Sequence, residues 1–275
     1  MGVDRAGKSI RQRRGGGRGK RGRRVKYLIE FSKTGRLIYI SHLDLARLFL
    51  RVLRMAGLRP DYSAGFNPHP KMSFALPLSL GFHSVCEYLE IETGQTAAIS
   101  PGPENGKAGR ESAAPAALRT QTPAGRLNER LPEGIRVTGF CEKPVCYPKS
   151  LASYVHAARY EIMCEGIDDA PARLAAFFAQ SSITVRKEKH KTGKVTENDI
   201  RGAMLDYRVV KDLKGRMLAE VTLLSGGGAV LNPLVFFDAF CAHSGQVREA
   251  LAPVVTRQAI LGKDGRPLLQ KPGGE

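Results

Sequence analysis

Tryptophan is absent from this 275-residue chain, aromatic residues make up only 7% of it, and acids are outnumbered by bases, 26 to 43. With so few aromatics and no RNP-like pattern, the sequence gives no sign of recognition by base stacking. Long apolar runs are missing too. No stretch of 18 or more apolar residues occurs, which argues against a membrane-spanning helix, and no apolar segment of signal-peptide length follows the basic start. A soluble, cytoplasmic protein with no membrane association is the expectation.

The five cysteines, Cys86, Cys141, Cys146, Cys164 and Cys241, are odd in number and scattered. They suggest no disulfide framework and suit a reducing compartment. Cys141 and Cys146 lack CxxC spacing, and His83 with Cys86 supplies only two ligand candidates, so no metal site is assigned. A Ser–His–Asp order, a GxxxxGK phosphate loop and a GxGxxG dinucleotide turn are also missing. The Gly226-Gly227-Gly228 run reads as a bulge or turn. Nothing here assembles a self-contained active site, so binding is expected ahead of chemistry.

What the chain does have is a 42% share of hydrophobic residues, enough for a proper core, and a formal charge of +17, which favours partners with negative surfaces. That charge is uneven. Residues 1–24 hold ten Lys or Arg, including Arg11, Arg13, Arg14, Arg18, Arg21, Arg23 and Arg24, against one acid, Asp4, so +9 of the +17 sits in this tail. Rich in Arg and Gly and nearly without apolar residues, it cannot bury enough surface to offset its ordering entropy and is expected to be disordered.

Beyond the tail, Val25, Tyr27, Ile29 and Phe31 alternate with Lys26 and Glu30, the period-2 pattern of a half-buried strand. Thr34-Gly35 turns the chain and Leu37 to Ile40 reads as extended again. A helix follows: Ser41 suits its N-cap, Asp44 stands three residues later as in a capping box, and Gly57 is placed to end it. Its apolar stripe is Leu45, Leu48, Phe49, Val52 and Ala56, while Arg47, Arg51 and Arg54 form a basic ridge on another side. Residues 61–85, rich in Pro, Gly, Ser and Asn, read as a shaped loop leading into strands near Lys71–Leu76 and Glu87–Glu92. Thr93 to Leu127 has no sustained period and is expected to be a flexible insertion. A strand at Ile135 to Thr138 follows.

The second half repeats this order in outline, with strands at Tyr160–Cys164, Ile183–Lys189 and Leu218–Leu224. Helices are expected over Ala172–Ala179 and from the Asn232-Pro233 cap to Phe240. The fold class expected is α+β, two ferredoxin-like halves with antiparallel sheets behind a disordered basic N-terminal tail. The first half spans 25–146 with the insertion at 93–127, the second spans 147–262, and 263–275 reads as a flexible C-terminus.

Two segments, Ser41-His42-Leu43-Asp44 and Ser63-Ala64-Gly65-Phe66-Asn67-Pro68-His69-Pro70-Lys71, resemble motifs of the bacterial radical-SAM-associated domain family of unknown function. Asp199-Ile200-Arg201 and Leu231-Asn232-Pro233 are similar to that family's second half. The resemblance covers most of residues 25–260. It implies a separately encoded radical SAM protein as partner and leaves the reaction open. A radical SAM enzyme holds its iron–sulfur cluster on three closely spaced cysteine thiolates, a triplet this chain lacks. The cluster and S-adenosylmethionine are therefore expected only through the partner. The chain departs from the family in the basic tail and in the 93–127 insertion, which replaces an ordered helix.

Candidate site residues gather around the two motifs. His42, Asp44 and His69 are acid–base candidates, with Ser41, Asn67 and Lys71 as binding groups that could share a cleft if the loop folds onto the helix start. Arg47, Arg51 and Arg54 add positive charge, and a second basic patch comprises Arg186, Lys187, Lys189, Lys191, Lys194 and Arg201. The leading expectation is an accessory domain facing RNA or a ribonucleoprotein, acting with the radical SAM partner in RNA modification. The alternatives are a nucleotide- or RNA-directed enzyme using His42, Asp44 and His69, and a protein–protein adaptor with no nucleic-acid role.

Overall fold

In the computed structural model, which describes residues 24–94, 122–189, 194–213, 216–228 and 230–269, the first alternating segment forms β1 (Val25–Lys33). Leu37 to Ile40 does not extend as expected. It lies in or just after a 3₁₀ turn over Gly35–Tyr39, because the Lys33 ammonium at the end of β1 is buried and donates to the carbonyls of Ile38 (3.1 Å) and Ile40 (3.3 Å). A buried cation left without such acceptors is costly, so the chain curls to supply them. Helix α1 (His42–Met55) then starts at the Ser41 N-cap, whose hydroxyl accepts from the Asp44 N–H at 3.1 Å. Its buried side chains Leu45, Phe49, Val52 and Leu53 pack with Ile29, Phe31, Leu89 and Ile91. Each such side chain contributes about 1.5–3 kcal/mol relative to exposure.

The first half continues through β2 (Met72–Phe74), β3 (His83–Thr93), α2 (Pro123–Asn128) and β4 (Ile135–Glu142). The second half runs β5 (Ala157–Glu165), α3 (Ala170–Phe178), β6 (Thr184–Lys189), β7 (Lys194–Asp199), β8 (Met204–Leu213), β9 (Arg216–Leu224), α4 (Pro233–His243), α5 (Arg248–Leu251) and β10 (Val254–Leu261). The fold is α+β with a mostly antiparallel sheet. Its strand order is β4-β1-β3-β10-β5-β9-β8, with β2 added to β3. β6 and β7 pair only with each other as a separate two-stranded sheet; with that hairpin set aside, the strands of each half stand last, first, third, second: β4-β1-β3-β2 and β10-β5-β9-β8.

The halves do not keep separate sheets. β10 joins β3 in parallel at Thr256↔His83 and Arg257↔Ser84, the only parallel step among the described strand pairs. α1 covers one face of the first half, and Phe177, Phe236, Phe237 and Phe240 of α3 and α4 cover the same sheet over the second. On the opposite face Leu28, Cys86, Tyr88 and Ile260 are covered by Leu151, Val155 and Leu268.

Three boundaries differ from those read off the sequence. Thr93 is buried as the last residue of β3, and Thr122 caps α2, whose Leu127 is also buried, so only 95–121 of the supposed insertion lies outside the described residues. The expected C-terminal tail folds back as far as Leu269, with Leu268 buried and its N–H donating to Ile260. The basic segment 1–23 lies outside the described residues. The 226–228 glycines form a turn as expected. A Cβ on Gly226 would stand 2.0 Å from the Val155 carbonyl oxygen, so only glycine fits there.

Candidate functional site

At the start of α1, the Ser41 hydroxyl donates to Asp44 Oδ2 at 2.7 Å, and Arg47 Nη1 donates to Oδ1 at 2.9 Å. The Ser41 hydroxyl and then Arg47 hold the Asp44 carboxyl below its ordinary pKa. With both oxygens engaged and ionisation favoured, the Asp44 carboxylate braces the Ser41 cap. His42, at the first helical position, is exposed and sets its ring edge-on to Phe74 of β2, 4.9 Å between centroids.

The second motif is a closed loop. Its stem is held by the Tyr62↔Pro70 bridge, by Ser63 N–H to the His69 carbonyl (2.9 Å) and by Lys71 N–H to Asp61 (2.7 Å). Ser63 Oγ accepts from the His69 N–H at 3.0 Å and lies 2.9 Å from Nδ1 of the same residue. Lys71 bonds Glu92 of β3, a carboxylate that Arg24 also approaches at 3.6 Å. Gly65 turns the tip with φ 118°, and Asn67 and Phe66 stand exposed there, Phe66 completely at 111%. The stem meets α1 through Tyr62, whose hydroxyl bonds Arg54 and whose ring lies 5.9 Å from that guanidinium.

The loop is thus fixed to the last turn of α1, ten residues and about 15 Å of helix from Asp44. His69 hydrogen-bonds within its own loop, Lys71 is half-buried at the stem, and Asp44 is engaged by its own helix. None of the hydrogen bonds of the described residues joins the two motifs into the single cleft that the sequence suggested. What they present instead is an outer surface: exposed Arg51 and Arg54 on α1, with the aromatic tip of Phe66 beyond Tyr62.

The second basic patch is divided. Arg186 of β6 pairs with Glu197 of β7 at 2.8 Å across an exposed hairpin. Arg201 is structural: it donates to the carbonyls of Gln180 and Met204, each at 3.0 Å, and lies over the Phe178 ring. Lys187, Lys189 and Lys194 sit in the paired strands, and Lys191 falls outside the described residues, as do Arg11, Arg13, Arg14, Arg18, Arg21 and Arg23.

Sequence reasoning missed a buried charged cluster at the junction of the two halves. Arg257 of β10, 2% exposed, donates from Nη1 to both oxygens of Glu87 of β3, at 2.8 and 3.1 Å. Its other contacts are the carbonyls of Leu76 (3.1 Å) and Pro77 (2.9 Å) just after β2, and the Tyr160 hydroxyl (3.3 Å). Lys33 interacts electrostatically with Glu87, and burial depresses its pKa. Burial also pushes the Glu87 carboxyl up, with Arg257 opposing. One end of the cluster holds the turn before Ser41, and the other holds the segment after Phe74. Charged residues within strands were the available signal, and β1 and β3 carry three each, so nothing singled out Lys33 or Glu87.

Among the described residues no three His, Cys, Asp or Glu side chains group as a metal site, and no helix is long and apolar enough to cross a membrane. Fold and surface define an α+β protein whose main sheet runs through both halves, with arginines on α1 and an exposed aromatic loop tip on its outside. The chain belongs to a bacterial family described as "uncharacterized protein conserved in bacteria (DUF2344)", whose model matches residues 26–102 and 111–233. No curated protein matches it. A solved structure titled "Crystal Structure of an Unknown Protein from Galdieria sulphuraria" is 12% identical, covering 86% of this chain and 98% of that one, with a TM-score of 0.23.

Proposed function

We propose that the protein is a cytoplasmic accessory domain that faces RNA or a ribonucleoprotein and acts with a separately encoded radical SAM protein in RNA modification. In this reading the partner brings the iron–sulfur cluster and S-adenosylmethionine. The partner is inferred from the resemblance of Ser41–Asp44 and Ser63–Lys71 to the radical-SAM-associated family. We take each half as ferredoxin-like, a reading supported by the repeated strand order.

The observation that carries the RNA-facing part is the pairing of positive charge with an exposed ring: Arg51 and Arg54 on the outer side of α1, and Phe66 on a loop clamped to Arg54 through Tyr62. Phosphates recruit such cations and release counterions, while an unpacked aromatic offers a stacking face. The test is binding of structured RNA to the full chain and to a chain lacking residues 1–23, each over a salt series. With about six phosphates contacted, affinity falls on the order of a thousandfold between 50 and 200 mM salt. Selectivity among RNAs is expected to survive the deletion and to drop with Arg51→Ala/Arg54→Ala or Phe66→Ala. A flat salt response excludes the reading.

A protein–protein adaptor is the second reading. It is favoured by the exposed apolar side chains Tyr39 (72%), Leu43 (67%) and Leu80 (58%) around the start of α1. Tyr39 and Leu80 are brought close by the Gly81 N–H bond to Ile38. Co-purification with a radical SAM protein without RNA, abolished by Leu43→Glu, selects it.

A further inference from the structure

On the sheet face opposite α1, the segment after β4 and the segment after β10 form the two walls of a cleft of about 540 Å³. Both walls are fixed. Glu90 of β3 accepts from Lys143 Nζ at 2.8 Å and from the Leu151 N–H at 2.9 Å, pinning the first segment to the sheet. The second is held by the Leu261↔Pro267 bridge and by Gly262 N–H to Arg266 at 2.9 Å. Tyr147 ties the walls together by donating its hydroxyl to the Leu268 carbonyl.

Two kinds of group face this space. Tyr147 and Tyr154 meet edge to face, with centroids 5.0 Å apart and planes at 78°. In that geometry one ring meets its partner only through an edge, so the partner covers neither of its faces. The Tyr154 hydroxyl accepts from the Lys149 N–H at 3.3 Å, so both rings are oriented by their hydroxyls. Around them stand the exposed cations Lys149, Lys263 and Arg266. The acid on this rim is Asp264, and its carboxylate already accepts the Arg266 N–H at 3.2 Å. The rim thus carries a surplus of positive charge beside a preorganised aromatic wall, in a volume typical of small-molecule sites.

We propose that this cleft binds a nucleotide, its planar base against the tyrosine pair and its phosphate between Lys149, Lys263 and Arg266. Stacking tolerates any base, and charge-assisted bonds to a phosphate are the stronger polar contacts. The nucleotide can be free or a unit of an RNA strand. The site does not depend on the α1 surface: a chain that binds nucleotide here and no structured RNA retains the site and loses the RNA-facing reading, and the reverse result loses the site.

The experiment is calorimetric titration of the full chain with adenosine 5′-monophosphate, adenosine, inorganic phosphate and a short adenine oligonucleotide. Wild type, Lys263→Ala/Arg266→Ala and Tyr154→Leu are compared, with thermal midpoints confirming that each is folded. The monophosphate, or the oligonucleotide in its place, binds about tenfold or more tightly than adenosine or phosphate alone. The double variant weakens nucleotide and phosphate binding by roughly tenfold but not adenosine binding, as expected for lost charged hydrogen bonds. Tyr154→Leu weakens nucleotide and adenosine binding by a similar factor and leaves phosphate binding unchanged. If Tyr154→Leu does not fold, the double variant decides alone. Binding by the oligonucleotide only identifies a strand as the source, and equal binding of the monophosphate identifies a free nucleotide. A nucleotide that binds no better than phosphate, or equally well to wild type and the double variant, overturns the proposal.

Discussion

Arg257 and Glu87, separated by 170 residues in sequence, form a two-bond ion pair where β10 meets β3. The pair is buried beside the 3₁₀ turn that Lys33 holds through the Ile38 and Ile40 carbonyls, so it links the junction of the two halves to the entrance of α1.

Breaking this pair from one side leaves an uncompensated buried charge, which costs about 3–5 kcal/mol. Arg257→Met or Glu87→Gln should therefore lower the urea midpoint by a large fraction of a typical total stability of about 5–15 kcal/mol, with little change in the slope. The double variant Arg257→Met/Glu87→Gln should lose less than the sum of the singles, because no lone carboxylate remains. Additive losses in that cycle would show that the two groups stabilise the fold independently.

Asp199 gives a pH-dependent local contact. Its carboxylate accepts the N–H groups of Ile183 and Arg201, each at 2.9 Å, and these bonds hold its pKa below the ordinary value. A depressed carboxyl stabilises the folded form above its unfolded pKa of about 3.9 and loses that contribution as pH falls through the lower folded value. Hydrogen exchange at the Ile183 and Arg201 amides should accordingly rise on acidification through that window, beyond its intrinsic pH dependence. In Asp199→Asn the extra rise should disappear while the carbonyl acceptor remains. A carboxyl resonance titrating at or above the ordinary pKa contradicts the assignment.

The thiols divide by burial. Cys86, Cys164 and Cys241 are buried and Cys141 and Cys146 exposed. Burial, with Cys241 nearby, pushes Cys164 up to about 12, and burial raises Cys86 as well. Burial also raises the partly covered Cys141 thiol; since the thiolate is the reactive form, a water-soluble maleimide at pH 8 should label Cys146 first and Cys141 more slowly in the folded chain, and the other three only in denaturant. Mass mapping of the labelled peptides checks this, and early labelling of Cys164 contradicts the packing of β5.

What could be read in advance was local. The alternation of β1, the Ser41 cap, the Asn232-Pro233 start of α4 and the strand character of Ile183–Lys189 each depend on residues within one or two turns or pleats. The turn at Gly35–Tyr39 escaped because its cause is a lysine whose burial the sequence does not reveal. The docking end of the second motif was not legible for a related reason. Pro and Gly mark a shaped loop, but the Arg54–Tyr62 contact that selects its docking end is a tertiary matter.

The sequence by itself determined a basic α+β chain, the placement of most strands and helices, and which helix carries the arginine ridge. These follow from side-chain periods of 2 and 3.6 and from caps that act over a few residues. Only the tertiary structure decided that the two halves share one sheet through β3 and β10, that Lys33, Glu87 and Arg257 are buried together, and that Tyr147 and Tyr154 stand among Lys149, Lys263 and Arg266. Each of these depends on groups far apart in the chain, whose complementarity has an energetic consequence only once folding has excluded water from between them.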